Sequence, residues 1–166
     1  GGDAAGTDRT GVFVVSTDAE RLDAFAVRRT VFVDEQGVDA EIEWDEHDEP
    51  NAATTHFVAY DHGEAVGAAR LRAADSGAGS SPPISTGKVE RVAVVADRRG
   101  EDWGRRLMNA VESRAREEGY DRLALHAQTP VRGFYERLGY DAYGEEFEEA
   151  GIPHVAMDRD LDADGR

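Results

Sequence analysis

Residues 88–116 read KVERVAVVADRRGEDWGRRLMNAVESRAR. The first part, Lys88 to Ala96, alternates and is rich in valine, which predicts a β-strand. The next four residues, Asp97 to Gly100, predict a turn. From Trp103 onwards apolar residues recur at helical spacing, so an amphipathic helix is expected to begin near Asp102 or Trp103. The predicted unit is a strand, a short loop rich in arginine and glycine, and the N-terminus of a helix.

A loop of this kind predicts an anion-binding site. It presents backbone N–H groups and the positive end of a helix dipole. Four arginines surround it: Arg98, Arg99, Arg105 and Arg106. The stretch lacks both the Lys–Ser/Thr pair of a Walker A loop and the G-x-G-x-x-G of a dinucleotide-binding loop. For this stretch alone, the alternative is an ordinary strand–turn–helix unit with a solvated arginine cluster.

The composition favours one globular domain. A chain of 166 residues with 40% hydrophobic residues can bury a substantial core. We therefore expect a flexible N-terminus over residues 1–10, a single domain over 11–160 and a tail over 161–166. The absence of cysteine excludes disulfides and thiolate chemistry. No apolar run approaches the roughly 20 residues of a membrane span, and no signal-peptide core is present, so a cytoplasmic location without membrane contact is expected.

The charge balance is strongly acidic. Thirty-five acidic residues face 19 basic ones, of which only Lys88 is lysine, and the formal net charge is −16. Such a surface repels itself in dilute salt, whereas at molar salt the Debye length falls to about 3 Å and screens the repulsion. The composition therefore predicts a salt-adapted, halophilic protein and argues against nucleic acid as a partner. The alternative is an acidic protein without salt adaptation.

Further strands and helices are predicted along the rest of the chain. Strands are expected over 11–16, 55–60, 65–71, 121–128 and 154–157, with a helix from Ala19 to about Phe32 and a short helix after Thr129. Residues 74–86 predict an exposed Gly/Ser/Pro loop. Residues 39–51 predict an acidic surface loop or short helical turn, and the alternative there is a solvated loop pinned by Trp44.

Four separated segments resemble signatures of the GNAT superfamily of N-acyltransferases. The loop from Arg99 to Gly104 is similar to the acyl-CoA loop R/Q-x-x-G-x-G/A, with Asp102 in place of its first glycine. Residues 28–36 resemble R-x-x-V-F-x-x-E-Q and residues 127–140 resemble A-Q-x-x-V-x-x-F-Y-E-x-x-G-Y. Residues 147–157 resemble the F-x-E-x-G-I-x-H-x-x-M run of one branch of the superfamily.

The resemblance implies a fold and a cosubstrate. The implied fold is α/β: a mixed, mostly antiparallel twisted sheet with helices on both faces and a V-shaped splay between two central parallel strands, 88–96 and 122–128. Acetyl-CoA is expected to lie in that splay. The implied cofactor-binding residues are Val92, Ala93, Val94, Arg99, Gly100, Glu101, Asp102, Trp103, Gly104, Arg105, Phe134 and Tyr135.

The resemblance also implies roles in acyl transfer. Tyr135 stands where the superfamily has its common tyrosine and is expected to protonate the leaving thiolate. The alternative for Tyr135 is a core aromatic of the helix, although Phe134 is expected to be the core member of that pair. Glu90 is the expected base and His126 the second candidate. A hydrogen-bonded strand histidine without a catalytic role is the alternative for His126. Glu35 and His154 are further candidates, supported only by the branch-level match.

The function implied is transfer of an acetyl group from acetyl-CoA to a primary amine of a small molecule or peptide. A non-catalytic acyl-CoA-binding sensor and a structural or interaction module are the other classes considered. No metal is assigned, because the spacing of Asp45, His47, Asp48 and His56 matches no zinc or calcium pattern. A homodimer is compatible with the sequence, which does not specify the oligomeric state.

Overall fold

The computed structural model describes residues 9–74 and 85–161. Its strands are β1 (Gly11–Val14), β2 (Thr54–Asp61), β3 (Glu64–Ala73), β4 (Thr86–Val94), β5 (Arg122–Gln128), β6 (Asp141–Glu149) and β7 (Ile152–Asp160). Its α-helices are α1 (Asp18–Arg28), α2 (Ala40–Glu43), α3 (Trp103–Glu117) and α4 (Arg132–Arg137), and shorter 3₁₀ turns cover Glu46–Asp48, Ala96–Arg98 and Thr129–Val131. Within the described ranges, no helix has the length and apolar character needed to cross a membrane.

The strands form one seven-stranded sheet in the order β1-β2-β3-β4-β5-β7-β6. Strands β4 and β5 pair in parallel, whereas β1 with β2, β5 with β7 and β6 with β7 pair antiparallel. The parallel ladder runs from the pair Thr86–Arg122 to the pair Val89–Leu125. Beyond it β4 continues to Val94 and β5 to Gln128. The predicted mixed α/β sheet with a central parallel pair is confirmed.

Two compact units make up the described chain. The first comprises residues 9–70 and 91–111, and its core includes Ala24, Val27, Val31, Val58, Tyr60, Ala68 and Ala93. The second comprises residues 71–74, 85–90 and 112–161, and its most deeply buried apolar side chains include Leu71, Leu123, Met157 and Leu161. The expectation of one domain over residues 11–160 stays a prediction, and residues 1–8 and 162–166 lie outside the described ranges.

Helix α1 begins where the sequence predicts, but a π-helical turn follows its last residue. Thr17 caps it, because its side chain accepts a hydrogen bond from the backbone N–H of Glu20 at 3.1 Å, and the Glu20 carboxylate accepts one from the Thr17 N–H at 3.2 Å. The prediction that the helix ends near Phe32 is wrong, because a π-helical turn over Arg29–Glu35 continues it. In that turn the Gln36 N–H reaches back five residues to the Val31 carbonyl at 3.1 Å.

The C-terminal strands are longer than predicted. The expected strand over 154–157 is the centre of β7, and β6, which pairs with it, was missed. Strand β6 lies at the edge of the sheet and most of its side chains are exposed, so its sequence DAYGEEFEE lacks the apolar alternation that indicates a strand. The pairing also shifts register between Tyr143 and Phe147, where Gly144 has a φ of +75°.

The predicted loop over residues 74–86 is only partly described. Residues 75–84 lie outside the described ranges. At its ends, the Ala74 N–H donates to the carbonyl of Thr86, the first residue of β4, at 2.9 Å.

Candidate active site

The strand, loop and helix predicted in residues 88–116 are present in the structure. Strand β4 ends at Val94, a 3₁₀ turn covers Ala96–Arg98, and α3 begins at Trp103. The Trp103 side chain is buried and Ala93 is part of the core, so both ends of the loop are anchored. The residues between these anchors are half-buried or exposed, as is usual for a surface loop.

The loop takes left-handed backbone at two positions. Gly100 has a φ of +86° and Asp102 a φ of +78°. Aspartate is one of the few residues other than glycine that adopt this conformation readily, so Asp102 replaces the expected glycine without a change of backbone. The Asp102 carbonyl accepts the Arg106 N–H at 3.1 Å, so the N–H groups of Trp103, Gly104 and Arg105 precede the first helical bond.

The charges around this loop are mostly neutralised by neighbouring acidic groups. The Asp102 carboxylate accepts hydrogen bonds from Nε of Arg105, both at 3.0 Å, and these bonds lower the pKa of Asp102. Arg98 donates from Nε to Glu101 at 2.9 Å and also pairs with Asp61. The Arg106 guanidinium lies 4.1 Å from the ring centre of Trp103. The four arginines, for which a solvated cluster was the alternative, therefore form local ion pairs and one cation–π contact.

Arg99 links three parts of the first unit. Its two terminal nitrogens donate to the Glu35 carboxylate at 2.6 and 2.8 Å, and its Nε donates to the Val94 carbonyl at 2.8 Å. The forked geometry is the strong form of an arginine–carboxylate pair, and it lowers the pKa of Glu35. Glu35 is thus fixed to the loop that follows β4.

The acidic segment, residues 39–51, is held by buried ion pairs and not by Trp44. Arg28 donates to Glu43 at 2.6 Å and to both oxygens of Asp48 at 2.7 and 2.8 Å. Arg70, which is fully buried, donates to Asp48 at 3.0 Å and to Asp45. Trp44 is 41% exposed, so the alternative of a solvated loop pinned by Trp44 is wrong.

The buried ion pairs of this segment change the pKa of Asp48, and a further arginine connects the segment to β4. Burial alone would raise the pKa of Asp48, but hydrogen bonds from Arg28 lower it well below its usual range. Arg91 extends the contacts to β4, because its guanidinium donates to the carbonyl oxygen of Glu43 at 2.7 and 2.9 Å. Arg91 has a φ of +60° within β4, a strained conformation that these contacts hold in place.

Glu90, the expected base, belongs to the second unit and forms an ion pair with Arg72. Arg72 donates to both of its carboxylate oxygens, at 2.8 and 3.0 Å, and the Nζ of Lys88 lies 3.7 Å from one of them. The carboxylate side chain is 15% exposed. Glu90 is therefore a partly buried and paired carboxylate.

His126 and His154 lie on either side of one aromatic ring in the second unit. The Phe147 ring meets His126 edge-on with centroids 4.9 Å apart and stacks on His154 at 6.1 Å. Nδ1 of His126 is 2.7 Å from the Glu149 carboxylate, and this hydrogen bond lowers the pKa of Glu149. Nδ1 of His154, which is nearly buried, lies 2.6 Å from the Ile152 carbonyl oxygen.

Tyr135, and not Phe134, is the buried member of the aromatic pair. Tyr135 is 7% exposed and lies edge-on between Phe134, at 4.9 Å, and Tyr140, at 5.9 Å. The expectation that Phe134 is the core residue is wrong, because the short helix α4 turns residue 135 inward and leaves Phe134 half-buried. Burial raises the pKa of Tyr135, so the phenol is protonated at neutral pH. Among the described residues its hydroxyl has no hydrogen-bond partner.

The structure thus distributes the predicted residues between the two units. Val92, Ala93, Val94, residues 99–105 and Glu35 belong to the first unit, whereas Glu90, His126, Phe134, Tyr135 and His154 belong to the second. Sequence reasoning missed the partners of the two candidate bases, namely Arg72 for Glu90 and Glu149 for His126. Only Glu149 had a signal in the sequence, since it is the glutamate of the F-x-E-x-G-I run. The catalytic and binding roles stay predictions.

Comparisons with known proteins identify the family. Residues 17–161 match the family model of the acetyltransferase (GNAT) domain. The uncharacterized N-acetyltransferase YjcF of Bacillus subtilis (strain 168) is 40% identical over 149 residues, which cover 89% of this chain and 98% of YjcF.

Two solved structures share the fold. A candidate N-acetyltransferase of Lactobacillus plantarum superimposes with a TM-score of 0.75 at 27% identity, over 92% of this chain and 99% of that one. An acyl-CoA N-acyltransferase of Pseudomonas aeruginosa gives a TM-score of 0.72 at 27% identity, over 89% and 98%. The chain therefore belongs to the GNAT acetyltransferase family and is an acyl-CoA-dependent N-acyltransferase.

Proposed function

We propose that this protein is an N-acetyltransferase that moves the acetyl group of acetyl-CoA to a primary amine of a small molecule or peptide, in the cytoplasm and within a ternary complex. The observation that carries the proposal is the loop after β4, with left-handed backbone at Gly100 and Asp102 where the family signature has its acyl-CoA loop. The Asp102 carboxylate is paired with Arg105, so it does not oppose an anion at the loop amides.

Binding of acetyl-CoA would use mainly backbone groups. The N–H groups from Arg99 to Arg105 would hold the pyrophosphate at the positive end of α3. Backbone groups of Val92 and Val94 would pair with the pantetheine amides, which requires no particular side chain. Phe134 is proposed to contribute an apolar contact to the cosubstrate.

The chemistry requires a base and an acid. An ammonium group cannot attack a thioester, so a base, Glu90 or His126, would remove its proton. The neutral amine would attack the carbonyl carbon, and collapse of the intermediate would break the carbon–sulfur bond. Tyr135 would protonate the departing thiolate, for which it must itself carry a proton, and its raised pKa ensures that.

The test is a thiol-release screen over a panel of amines in molar KCl. The chain contains no cysteine, so a thiol reagent detects only released CoA. We expect release that depends on one class of amine, with acetyl-CoA alone as the control for hydrolysis. Tight acetyl-CoA binding without release for any amine would contradict the enzyme and favour an acyl-CoA sensor.

A further inference from the structure

The parallel ladder of the second unit ends beside two polar side chains. Its last pair is Val89 with Leu125, both buried, and the next residues are Glu90 on β4 and His126 on β5. Because side chains alternate along a strand, Glu90 and His126 point to the face opposite the buried pair. Two candidate bases therefore stand at the point where the ladder ends, and the contacts of each decide between them.

Glu90 is poorly placed to accept a proton. Both of its oxygens already accept hydrogen bonds from Arg72, in the bidentate geometry of a strong ion pair. Proton uptake would remove the negative charge that holds Arg72, which is itself largely buried. Glu90 serves better as the fixed counter-ion of Arg72 than as a group that gains and loses a proton in each cycle.

His126 has the arrangement that orients an imidazole for proton transfer. Its Nδ1 is 2.7 Å from Oε1 of Glu149, and the edge of its ring rests on Phe147. The lowered pKa of Glu149 means that its carboxylate is ionised and can only accept a hydrogen bond, so Nδ1 is the donor. In the neutral ring, Nε2 then carries the free lone pair. The His126 side chain remains one-third exposed, so a substrate can reach it.

We infer that His126 is the general base of the transfer and that Glu149 is the residue that positions it. The inference rests on the proposed function and selects between its two bases. The proton on the substrate nitrogen passes to Nε2 of His126, and the freed lone pair forms the bond to the carbonyl carbon. The electron pair of the broken carbon–sulfur bond leaves with the thiolate, which takes its proton from Tyr135. The nitrogen gives up its second proton as the amide forms, and this proton restores the Tyr135 phenol, while the His126 imidazolium releases its proton to solvent. Glu149 remains ionised and stabilises the imidazolium formed.

The groups that surround His126 define the experiment. The titratable and charged groups on this face include Glu149 from β6, His154 from β7, Lys88 and Glu90 from β4, and Arg72 from β3, which pairs with Glu90. By strand alternation, Arg122 of β5 and Asp158 of β7 lie on the same face. Glu148 provides a matched control, because it is exposed on the same strand as Glu149 and points to the opposite face. The variants Glu149→Gln and Glu148→Gln remove the same charge one residue apart.

The steady-state kinetics of parent, His126→Gln, Glu149→Gln and Glu148→Gln should be measured against pH in molar KCl. We expect His126→Gln to lower kcat/KM for the amine about 10²-fold or more, and Glu149→Gln to lower it by about 10- to 100-fold. The KM for acetyl-CoA should not change. In Glu149→Gln the loss should appear in kcat/KM for the amine and not in the binding of acetyl-CoA, because the neutral amide no longer fixes the proton on Nδ1 of His126. Glu148→Gln should stay within about twofold of the parent.

Two results would overturn the inference, and they are distinguishable. If the parent turns over but Glu149→Gln matches Glu148→Gln in rate and pH profile, the pair has no catalytic role and the proposed function stands. If no amine supports thiol release by the parent, the proposed function fails and the base assignment fails with it. Equal melting temperatures of the variants would exclude unfolding as the cause of a lost rate.

Discussion

The Tyr135 side chain is largely buried and its hydroxyl lacks a partner among the described residues, so removal of that one oxygen atom tests its role. Replacing Tyr135 by Phe keeps the ring contacts with Phe134 and Tyr140 and removes only the hydroxyl. We expect kcat and kcat/KM to fall together by about 10²- to 10⁴-fold, because the missing proton matters only when the thiolate develops. Binding of acetyl-CoA and the melting temperature should be retained. The measurement is turnover by thiol release beside calorimetric titration with acetyl-CoA.

Tyr143 supplies the control for that change. It is 52% exposed on β6, so Tyr143→Phe removes a phenol hydroxyl without altering a buried contact and should leave turnover within about twofold of the parent. A Tyr135→Phe variant that turns over normally but melts earlier would assign Tyr135 to packing. Water or the base would then have to serve the leaving group.

His56 gives the first unit a defined dependence on pH. Burial lowers its pKa to about 4 from an ordinary 6.5, and the guanidiniums of Arg28, Arg21 and Arg70 add to this while Asp48 opposes it. Between pH 6.5 and about 4, the unfolded chain binds a proton at His56 that the folded chain does not. Stability should therefore be complete above this window and fall as the pH decreases through it.

Melting temperatures at fixed salt between pH 7 and 4.5 test this expectation. In His56→Gln the position cannot be protonated, so its melting temperature should fall less steeply than that of the parent. A His56→Gln slope equal to that of the parent would assign the pH dependence to the carboxylates.

At the scale of elements, the loop after β4 depends on contacts that connect it to the π-helical turn. Arg99 donates to Glu35 in that turn and to the Val94 carbonyl at the end of β4. Arg99→Glu should weaken acetyl-CoA binding about 10-fold or more, because charge-assisted hydrogen bonds of about 1.5–3 kcal/mol are lost and two carboxylates then face each other. Calorimetric titration in molar KCl measures the affinity.

A charge swap distinguishes two roles of Arg99, namely holding the loop in place through Glu35 and contacting the phosphates of acetyl-CoA directly. In the double variant Arg99→Glu with Glu35→Arg, the ion pair can form again in reverse, so we expect most of the affinity to return. An affinity of the double variant as low as that of Arg99→Glu would show that the guanidinium itself contacts the cosubstrate. Arg132→Glu with Glu136→Arg, which reverses an exposed pair on α4, should not change the affinity.

The accuracy of the sequence predictions follows the burial of each element. The period change at Trp103 marked the start of α3 correctly, because its apolar face is buried and therefore shows in the sequence. Strand β6 was missed because an exposed edge strand needs no apolar alternation. Left-handed backbone at Asp102 agrees with the chemistry of aspartate at a position where the family has glycine. The same conformation at Arg91 depends on distant carbonyl groups that no local pattern shows.

At the candidate site, too, local sequence patterns predict the position of a residue but not its distant contacts. The strands and helices that carry Glu90, His126 and Tyr135 could be predicted from local patterns and the family resemblance. Their partners could not be predicted, because Arg72 and Glu149 are 18 and 23 residues away in sequence. A site residue can therefore be located from sequence while its ionisation and orientation depend on contacts that only the fold specifies.

At the scale of the whole molecule, the net charge of −16 should make stability depend on salt. Two effects oppose each other. Salt weakens exposed ion pairs such as Arg114 with Glu118, each worth about 0.2–1 kcal/mol. Salt also screens the mutual repulsion of the excess carboxylates, and this term should dominate because acidic residues outnumber basic ones by nearly two to one. The melting temperature should therefore rise between low and molar KCl, by about 2–4 °C for each kcal/mol gained.

A variant with fewer charges on β6 tests whether repulsion is the cause. Glu145, Glu146 and Glu148 are exposed on this strand, and their combined replacement by Gln lowers the net negative charge by three. At low salt this variant should melt at a higher temperature than the parent, because less repulsion remains unscreened. In molar KCl, where charges more than about 3 Å apart are screened, the two should converge. If the variant shows the same rise with salt as the parent, the rise comes from a general effect of salt on apolar burial and not from the acidic surface.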